Sequence, residues 1–313
     1  MVTVISTFAG CGGSSLGYKW AGFKELLAID YNKNAHETFK LNFDCPAWLR
    51  DIKTVTAKEI LEFCNIEKGE LDILDGSPPC QGFSLSGKRK IADDRNDLFK
   101  EFVRLIEELQ PKVFVMENVK GMAIGKMKGR FIEIIKTLKA LNYKVKCKIM
   151  NAKHYNVPQS RERLIFIGVR KDLGLEPSFP VPNKKIITVK DVLPEVGGHH
   201  RGQFDKKVKK NNTVGYTVTK NASMRVIKNG KECKLTIEEC KRLCSFPDGF
   251  SFIGGYSEQW ARLGNAVMPK FMQAIAENIK INILERYRNL TNKEPILEAT
   301  GKPFSDILPK EFK

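Results

Sequence analysis

The chain has no C-x-x-C pair and only four histidines in 313 residues, so the ligand spacing of a structural zinc site is missing. Its eight cysteines stand at positions 11, 45, 64, 80, 147, 233, 240 and 244, the closest two being Cys240 and Cys244. Scattered thiols of this kind suit a reducing, cytoplasmic setting better than a disulfide framework. No run approaches ~18 consecutive apolar residues, so no membrane span is expected. The opening Met1-Val-Thr-Val-Ile-Ser-Thr lacks the basic start and long apolar stretch of a secretory leader. Acids are also in deficit, 36 against 53 lysines and arginines, which leaves a net charge of +17. That balance excludes an acidic solvating chain and favours a polyanionic partner.

The excess charge is concentrated. Val119–Lys148 and Arg201–Lys234 each carry +8, so these 64 residues hold nearly all of it. Two basic patches on a near-neutral body suggest a binding surface. Hydrophobic residues make up 42% of the chain, enough for a sizeable core. At roughly 150 residues per domain, the length allows one large domain or two unequal ones.

Short apolar runs alternate with amphipathic stretches in the first half, the pattern of a parallel α/β sheet. Strands are expected at Thr3–Phe8, Glu25–Asp30, Asp72–Asp75, Val113–Glu117 and Lys144–Met150, with Leu164–Val169 as an antiparallel addition. Helices are expected at Ser15–Ala21, Asn32–Leu41, Ala57–Phe63, Asp97–Leu109 and Arg130–Leu141. From Glu176 to Gly198 prolines and a Gly-Gly pair mark a crossing into a smaller unit bearing the second basic patch. A helix over Thr236–Leu243 and a closing helix over Pro269–Arg286 follow. The resulting division is a catalytic domain of 1–183 completed by 262–287, a small recognition domain of 184–261, and a polar tail of 288–313.

Phe8-Ala9-Gly10-Cys11-Gly12-Gly13 follows the first strand, where glycines let the backbone approach a ligand. Ser15 stands where a dinucleotide fingerprint would have its third glycine, which weakens a nicotinamide reading. Asp30 ends the second strand and could accept from ribose hydroxyls, Tyr31 could stack on an adenine, and Asp51 could accept from an exocyclic amine. Together they suit an adenosine-containing ligand, a requirement that several cofactors meet. Farther on, Gly76-Ser-Pro-Pro-Cys80-Gln-Gly-Phe-Ser84 follows the fourth strand, and the paired prolines present Cys80 at the carboxyl end of the sheet. Glu117-Asn118-Val119 should share that rim, and Gln159-Ser-Arg161-Glu-Arg163 brings two guanidinium groups just before a further strand.

In this order, Phe8–Gly13, Pro79-Cys80-Gln81, Glu117-Asn118-Val119, Gln159-x-Arg161-x-Arg163 and Gly264-Asn265-Ala266-Val267 resemble the motifs of the cytosine-C5 DNA methyltransferases. The resemblance runs from about Val4 to Ile283. It implies an α/β fold of the S-adenosylmethionine-dependent methyltransferase type, Rossmann-like, with a mostly parallel seven-stranded sheet and a small target-recognition domain. It also implies S-adenosyl-L-methionine as cofactor and double-stranded DNA as partner. The cofactor residues it implies are Phe8, Ala9, Gly10, Gly12, Gly13, Asp30, Tyr31, Asp51, Ile52, Pro79, Leu98, Asn265 and Val267.

The chemistry accounts for the residue types. C5 of cytosine is a poor nucleophile until a group adds at C6, and a thiolate such as that of Cys80 adds well and leaves again. Glu117, if protonated, could donate to N3, which requires desolvation or neighbouring negative charge. By the resemblance Arg163 would hold O2 of the base, and Arg161 would support Glu117 or a phosphate. The target must leave the duplex, at a cost of ~a few kcal/mol. The segment Gln81–Asn96, with Ser84, Lys88 and Arg89, resembles the loop that closes over it.

Only 52 residues separate Arg163 from Tyr216-Thr217-Val218-Thr219, so the recognition region is cut down relative to the family. Arg201, Lys209 and their basic neighbours suffice for phosphate contacts, and His199, His200, Met224 and Arg225 are candidates for base contacts. A short or relaxed recognition sequence is expected, in a monomer or with a partner subunit supplying surface. Asp30 replaces the family's usual glutamate. Rival readings are a tRNA methyltransferase of the same family, a non-catalytic DNA-binding partner and a nicotinamide oxidoreductase.

Overall fold

Strands whose residues are apolar at nearly every position must be covered on both faces. Such strands lie at the centre of one sheet of seven, made of β1 (Val2–Thr7), β2 (Phe23–Asp30), β3 (Ala47–Leu49), β4 (Ile73–Gly76), β5 (Val113–Val119), β6 (Tyr143–Asn151) and β7 (Glu162–Arg170), while the edge strand β6 carries lysines at alternate positions. They are seen in a computed structural model that describes residues 1–79, 98–123, 128–202, 205–221 and 224–291. The order is β3-β2-β1-β4-β5-β7-β6. Neighbours run parallel except β7, which is antiparallel to both β5 and β6. Six of the strands match expectation within two residues or so. The exception is β3, whose three residues are too few to display a period.

Alternation along each strand separates two cores. Val113, Val115, Ile165 and Ile167 point to one face, where they meet Leu16, Phe271, Met272 and Ile275. Phe114, Met116, Leu164 and Phe166 point to the other, against Ile60, Phe102, Ile106 and Leu138. Helices α1 (Gly13–Trp20), α2 (Lys33–Lys40) and the late helix α9 (Pro269–Ile279) cover the first face, and α3 (Ala57–Cys64), α4 (Leu98–Leu109) and α5 (Lys128–Ala140) cover the second. Strand order reverses between β1 and β4, which are neighbours. In an open α/β sheet that switch point opens a crevice at the carboxyl ends of the strands.

Beyond β7, α6 (Val189–Val192) leads to a second, antiparallel sheet of β8 (Gly198–His200), β9 (Lys209–Lys210), β10 (Arg225–Lys228) and β11 (Lys231–Lys234), ordered β11-β10-β8-β9. Asn229 and Gly230 join β10 to β11, both with positive φ (49° and 76°). That is the two-residue hairpin turn for which Asn-Gly is the strongest local signal. Then come α7 (Ile237–Leu243), capped by a reciprocal Thr236–Glu239 box, and α8 (Tyr256–Asn265). The closing helix α9 passes through a π-helical stretch (Lys280–Glu285) into α10 (Arg286–Thr291). Arg288, at the head of the expected tail, donates to Asp72 Oδ2 at 2.9 Å and so belongs to the folded body. Cys80, Ser84, Lys88, Arg89, the rest of the 81–96 loop and the tail from 292 lie outside the described residues.

Candidate active site

The glycine loop leaves β1 under strain. Phe8 adopts φ 55°, a left-handed conformation that is rare for a bulky side chain and is held here by its surroundings. The Ala9 N–H donates to Ile29 O at 3.0 Å, and the Gly10 N–H donates to Asp30 Oδ2 at 2.7 Å. The Asn32 N–H takes the other carboxylate oxygen at 2.8 Å. Asp30 thus fastens the loop to the end of β2, while burial raises its pKa above the ordinary carboxylate value. A Cβ on Gly13 would stand 2.1 Å from Val267 O, so only glycine lets the loop meet the returning chain. Gly12 packs beneath the loop on the Phe43 ring.

Across the switch point, Ser77-Pro78-Pro79 follow β4, and Asn118 Nδ2 donates to Pro78 O at 3.1 Å. Glu117, buried near the end of β5, faces Arg163 of β7, with Nε and Oε1 at 2.7 Å. Lys120 pairs with Glu162 beside them. Glycine loop, proline turn and Glu117–Arg163 pair all line one cavity of about 1440 Å³. Phe8, Ala9, Gly10, Asp30 and Tyr31 form part of its wall, as do Pro79, Asn265 and Val267. Tyr31 is 68% exposed at the rim, free to pack on a planar ligand.

Arg161 departs from expectation. Its side chain is 2% exposed and bonds neither Glu117 nor open solvent. Instead it donates to Val218 O at 2.9 Å, Gly264 O at 3.0 Å and Ala266 O at 2.9 Å. Burial and the neighbouring Arg163 push its guanidinium down to about 9, which leaves it charged at neutral pH. Gln159, on the same side of the extended chain, accepts from the Val218 N–H at 3.1 Å and donates to Leu243 O at 2.8 Å. The Gln-x-Arg pair therefore ties the Tyr216–Thr219 segment and the Gly264-Asn265-Ala266 turn to the start of β7. Arg163, two residues on, is the one that reaches Glu117.

Other expected residues stand off the described wall. Asp51 caps a short turn by accepting from the Lys53 N–H at 3.0 Å, Ile52 is buried in the second core, and Leu98 opens α4 against the same core. Arg225 is half-buried in β10. His199 and His200 are not base readers. Both are buried, His199 with Nε2 3.1 Å from Thr213 Oγ1 and His200 with Nε2 3.1 Å from Glu232. Burial, assisted by Lys209, lowers His199 to about 4, so it is neutral. Met224 is buried as well. Arg201 and Lys209 do line the cavity, and both stand over the Tyr216 ring, at 5.0 and 4.3 Å from its centroid.

Sequence reasoning missed a buried acid beneath the site. Asp75, inside β4, accepts from the Tyr18 hydroxyl at 3.2 Å and is pushed up to about 8 by burial. The signal available was an aspartate in a short central strand otherwise made of apolar residues and glycine, Ile73-Leu74-Asp75-Gly76. The folded protein keeps this proton up to about pH 8, whereas the unfolded chain releases it near 3.8. The unfolded state therefore binds fewer protons between those values, and stability declines as pH rises through the window. Asp75→Asn, which keeps an acceptor for Tyr18, should flatten that decline and stabilise the protein at pH 8. The gain should be on the order of a few kcal/mol. Thermal unfolding from pH 5 to 8 reads it out, and an unaltered slope would mean that Asp75 is ionised in the fold.

The family model of the C-5 cytosine-specific DNA methylases matches residues 2–214 and 195–281. Type II methyltransferase M1.HphI of Haemophilus parahaemolyticus is 35% identical, over 91% of this chain and 88% of its own. Type II methyltransferase M.NgoPII of Neisseria gonorrhoeae is 32% identical, over 90% of this chain and 96% of its own. A solved E. coli structure, assigned as a DNA modification methyltransferase encoded within a prophage, superposes with a TM-score of 0.75 at 25% identity, covering 91% of this chain and 100% of that one. Matches of this extent, over a sheet whose switch point carries the motifs in order, make the chain a member of the C-5 cytosine-specific DNA methylase family.

Proposed function

We propose that this DNA cytosine-C5 methyltransferase acts on a cytosine turned out of double-stranded DNA, with Cys80 as nucleophile and S-adenosyl-L-methionine as methyl donor. The observation that carries the reading is that the glycine loop and the Glu117–Arg163 pair open into one cavity. Its volume of about 1440 Å³ is larger than a single small ligand needs, and suits a cofactor and a base side by side.

The residues present fit that cofactor. Phe8 and Tyr31 offer aromatic surface to an adenine, Asp30 has lone pairs left for ribose hydroxyls, and Asn265 with Val267 closes the far side. When bound, S-adenosyl-L-methionine supplies an electrophilic methyl group. Cys80 adds as thiolate to C6 of the base, which moves an electron pair to C5. An entering base would separate Glu117 from Arg163, with Arg163 turning to O2 and Glu117 to N3. Once C5 carries the methyl group, a base removes the C5 proton, the ring electron pair reforms the double bond, and Cys80 leaves.

Arg201, Lys209, Lys210 and Lys220 line the outer part of the cavity, which supports a phosphate-contacting role for the 184–261 unit. Reduced recognition surface favours a short target sequence. Bisulfite sequencing of DNA from cells expressing the protein should reveal protected cytosines within one short sequence, absent from cells lacking it. Transfer in vitro to duplex DNA and not to tRNA should accompany it. No protected cytosine, or transfer to tRNA alone, would overturn the reading.

A further inference from the structure

At the Asp30 end of the cavity one cation makes no direct ion pair with an acid of the described wall. Of the acids on the described wall, Glu117 is paired with Arg163 and Glu162 with Lys120. Asp30 has both carboxylate oxygens engaged by the Gly10 and Asn32 N–H groups. Arg262 also lines this wall, near Asp30 and Cys11. It sits on α8 three residues before Asn265, so both residues share a helix face. Its Nε is buried and has no hydrogen-bond partner among the described residues. A buried, unsatisfied guanidinium N–H costs free energy unless a ligand atom completes it.

We propose that Arg262 binds the carboxylate of the cofactor's amino-acid tail. The inference rests on S-adenosyl-L-methionine being the cofactor, whose tail carries its one anionic group. A guanidinium presents several N–H donors in a planar fork that matches a carboxylate. With the adenosine placed at Asp30 and Tyr31 and the methyl group directed toward the Pro79 side, the tail has to pass the glycine loop. Arg262 stands over that loop, the Cys11 thiol lying 4.0 Å from its own carbonyl oxygen. Arg262 is thus a specificity-determining residue that recognises an amino-acid tail rather than the nucleoside.

Calorimetry on the full chain tests this with two probes, S-adenosylhomocysteine and its decarboxylated analogue, which differ only in the carboxylate. Wild type should bind the first roughly 10- to 100-fold more tightly, the range expected of a charge-assisted hydrogen-bonded pair. Arg262→Gln should weaken S-adenosylhomocysteine by a similar factor and leave the analogue unchanged, with Arg262→Lys in between. If wild type binds both probes equally, the proposal is wrong without recourse to any variant. Equal weakening of both probes in Arg262→Gln would also overturn it, since the residue would then act through Asp30 on the adenosine. If neither probe binds wild type, it is the cofactor reading itself that fails.

Discussion

Replacing Cys80 by alanine should lower methyl transfer roughly 10⁴-fold or more, because no other group can make and break the bond to C6. Binding of S-adenosylhomocysteine should stay within about twofold, since the nucleophile serves the base and not the cofactor. A second cysteine supplies the internal control. Cys11 lines the described cavity, but burial pushes its thiol up to about 12, so it carries no thiolate at neutral pH. Cys11→Ala should therefore keep most of the activity. Single-turnover transfer with each variant, alongside calorimetry, separates the two thiols. Full activity in Cys80→Ala would remove the proposed nucleophile.

Arg161→Ala should have the largest effect on stability, on the order of 3–5 kcal/mol. The loss arises less from the charge than from what it leaves behind. Three carbonyls, of Val218, Gly264 and Ala266, would lose their donor, and the Val218 and Gly264 oxygens would do so in buried surroundings. Arg161→Lys should recover part of the stability, because an ammonium offers three donors without the planar fork. Urea unfolding measures both variants. An Arg161→Ala protein of normal stability and no activity would instead mean that the residue touches substrate.

Most of the sheet was legible because its strands are long and apolar enough to display their period, and the ordered motifs pointed to the rim at the carboxyl ends of the strands. The expected site residues Asp30, Pro79, Glu117 and Arg163 were legible for the same reason, each lying at or near an end of a strand. What a single sequence hides is pairing across distance. Arg161 and Arg163 look alike two residues apart, yet one bonds three carbonyls and the other a carboxylate, because segments more than 50 residues away decide the partner. His199 and His200 look like exposed polar residues of a basic segment until β9 and β10 pair on either side of β8 and bury them. Arg262 gave no local signal, since an arginine on an amphipathic helix is ordinarily a solvated one. The register of β10 on β11, by contrast, follows from a short-range rule at the Asn229-Gly230 turn.

The seal between Gly13 and Val267 also governs how the protein comes into being. One wall of the site cavity leaves the ribosome first and the opposing wall more than 250 residues later. At about 5–20 residues per second, that is a delay of roughly 10–50 s. During it, α1 has no α9 to cover it and the first core face stands open. A nascent chain therefore lacks one wall of the site cavity until translation has passed Val267. A chain broken off before that point leaves the first core face uncovered, and apolar surface exposed in this way is prone to aggregate.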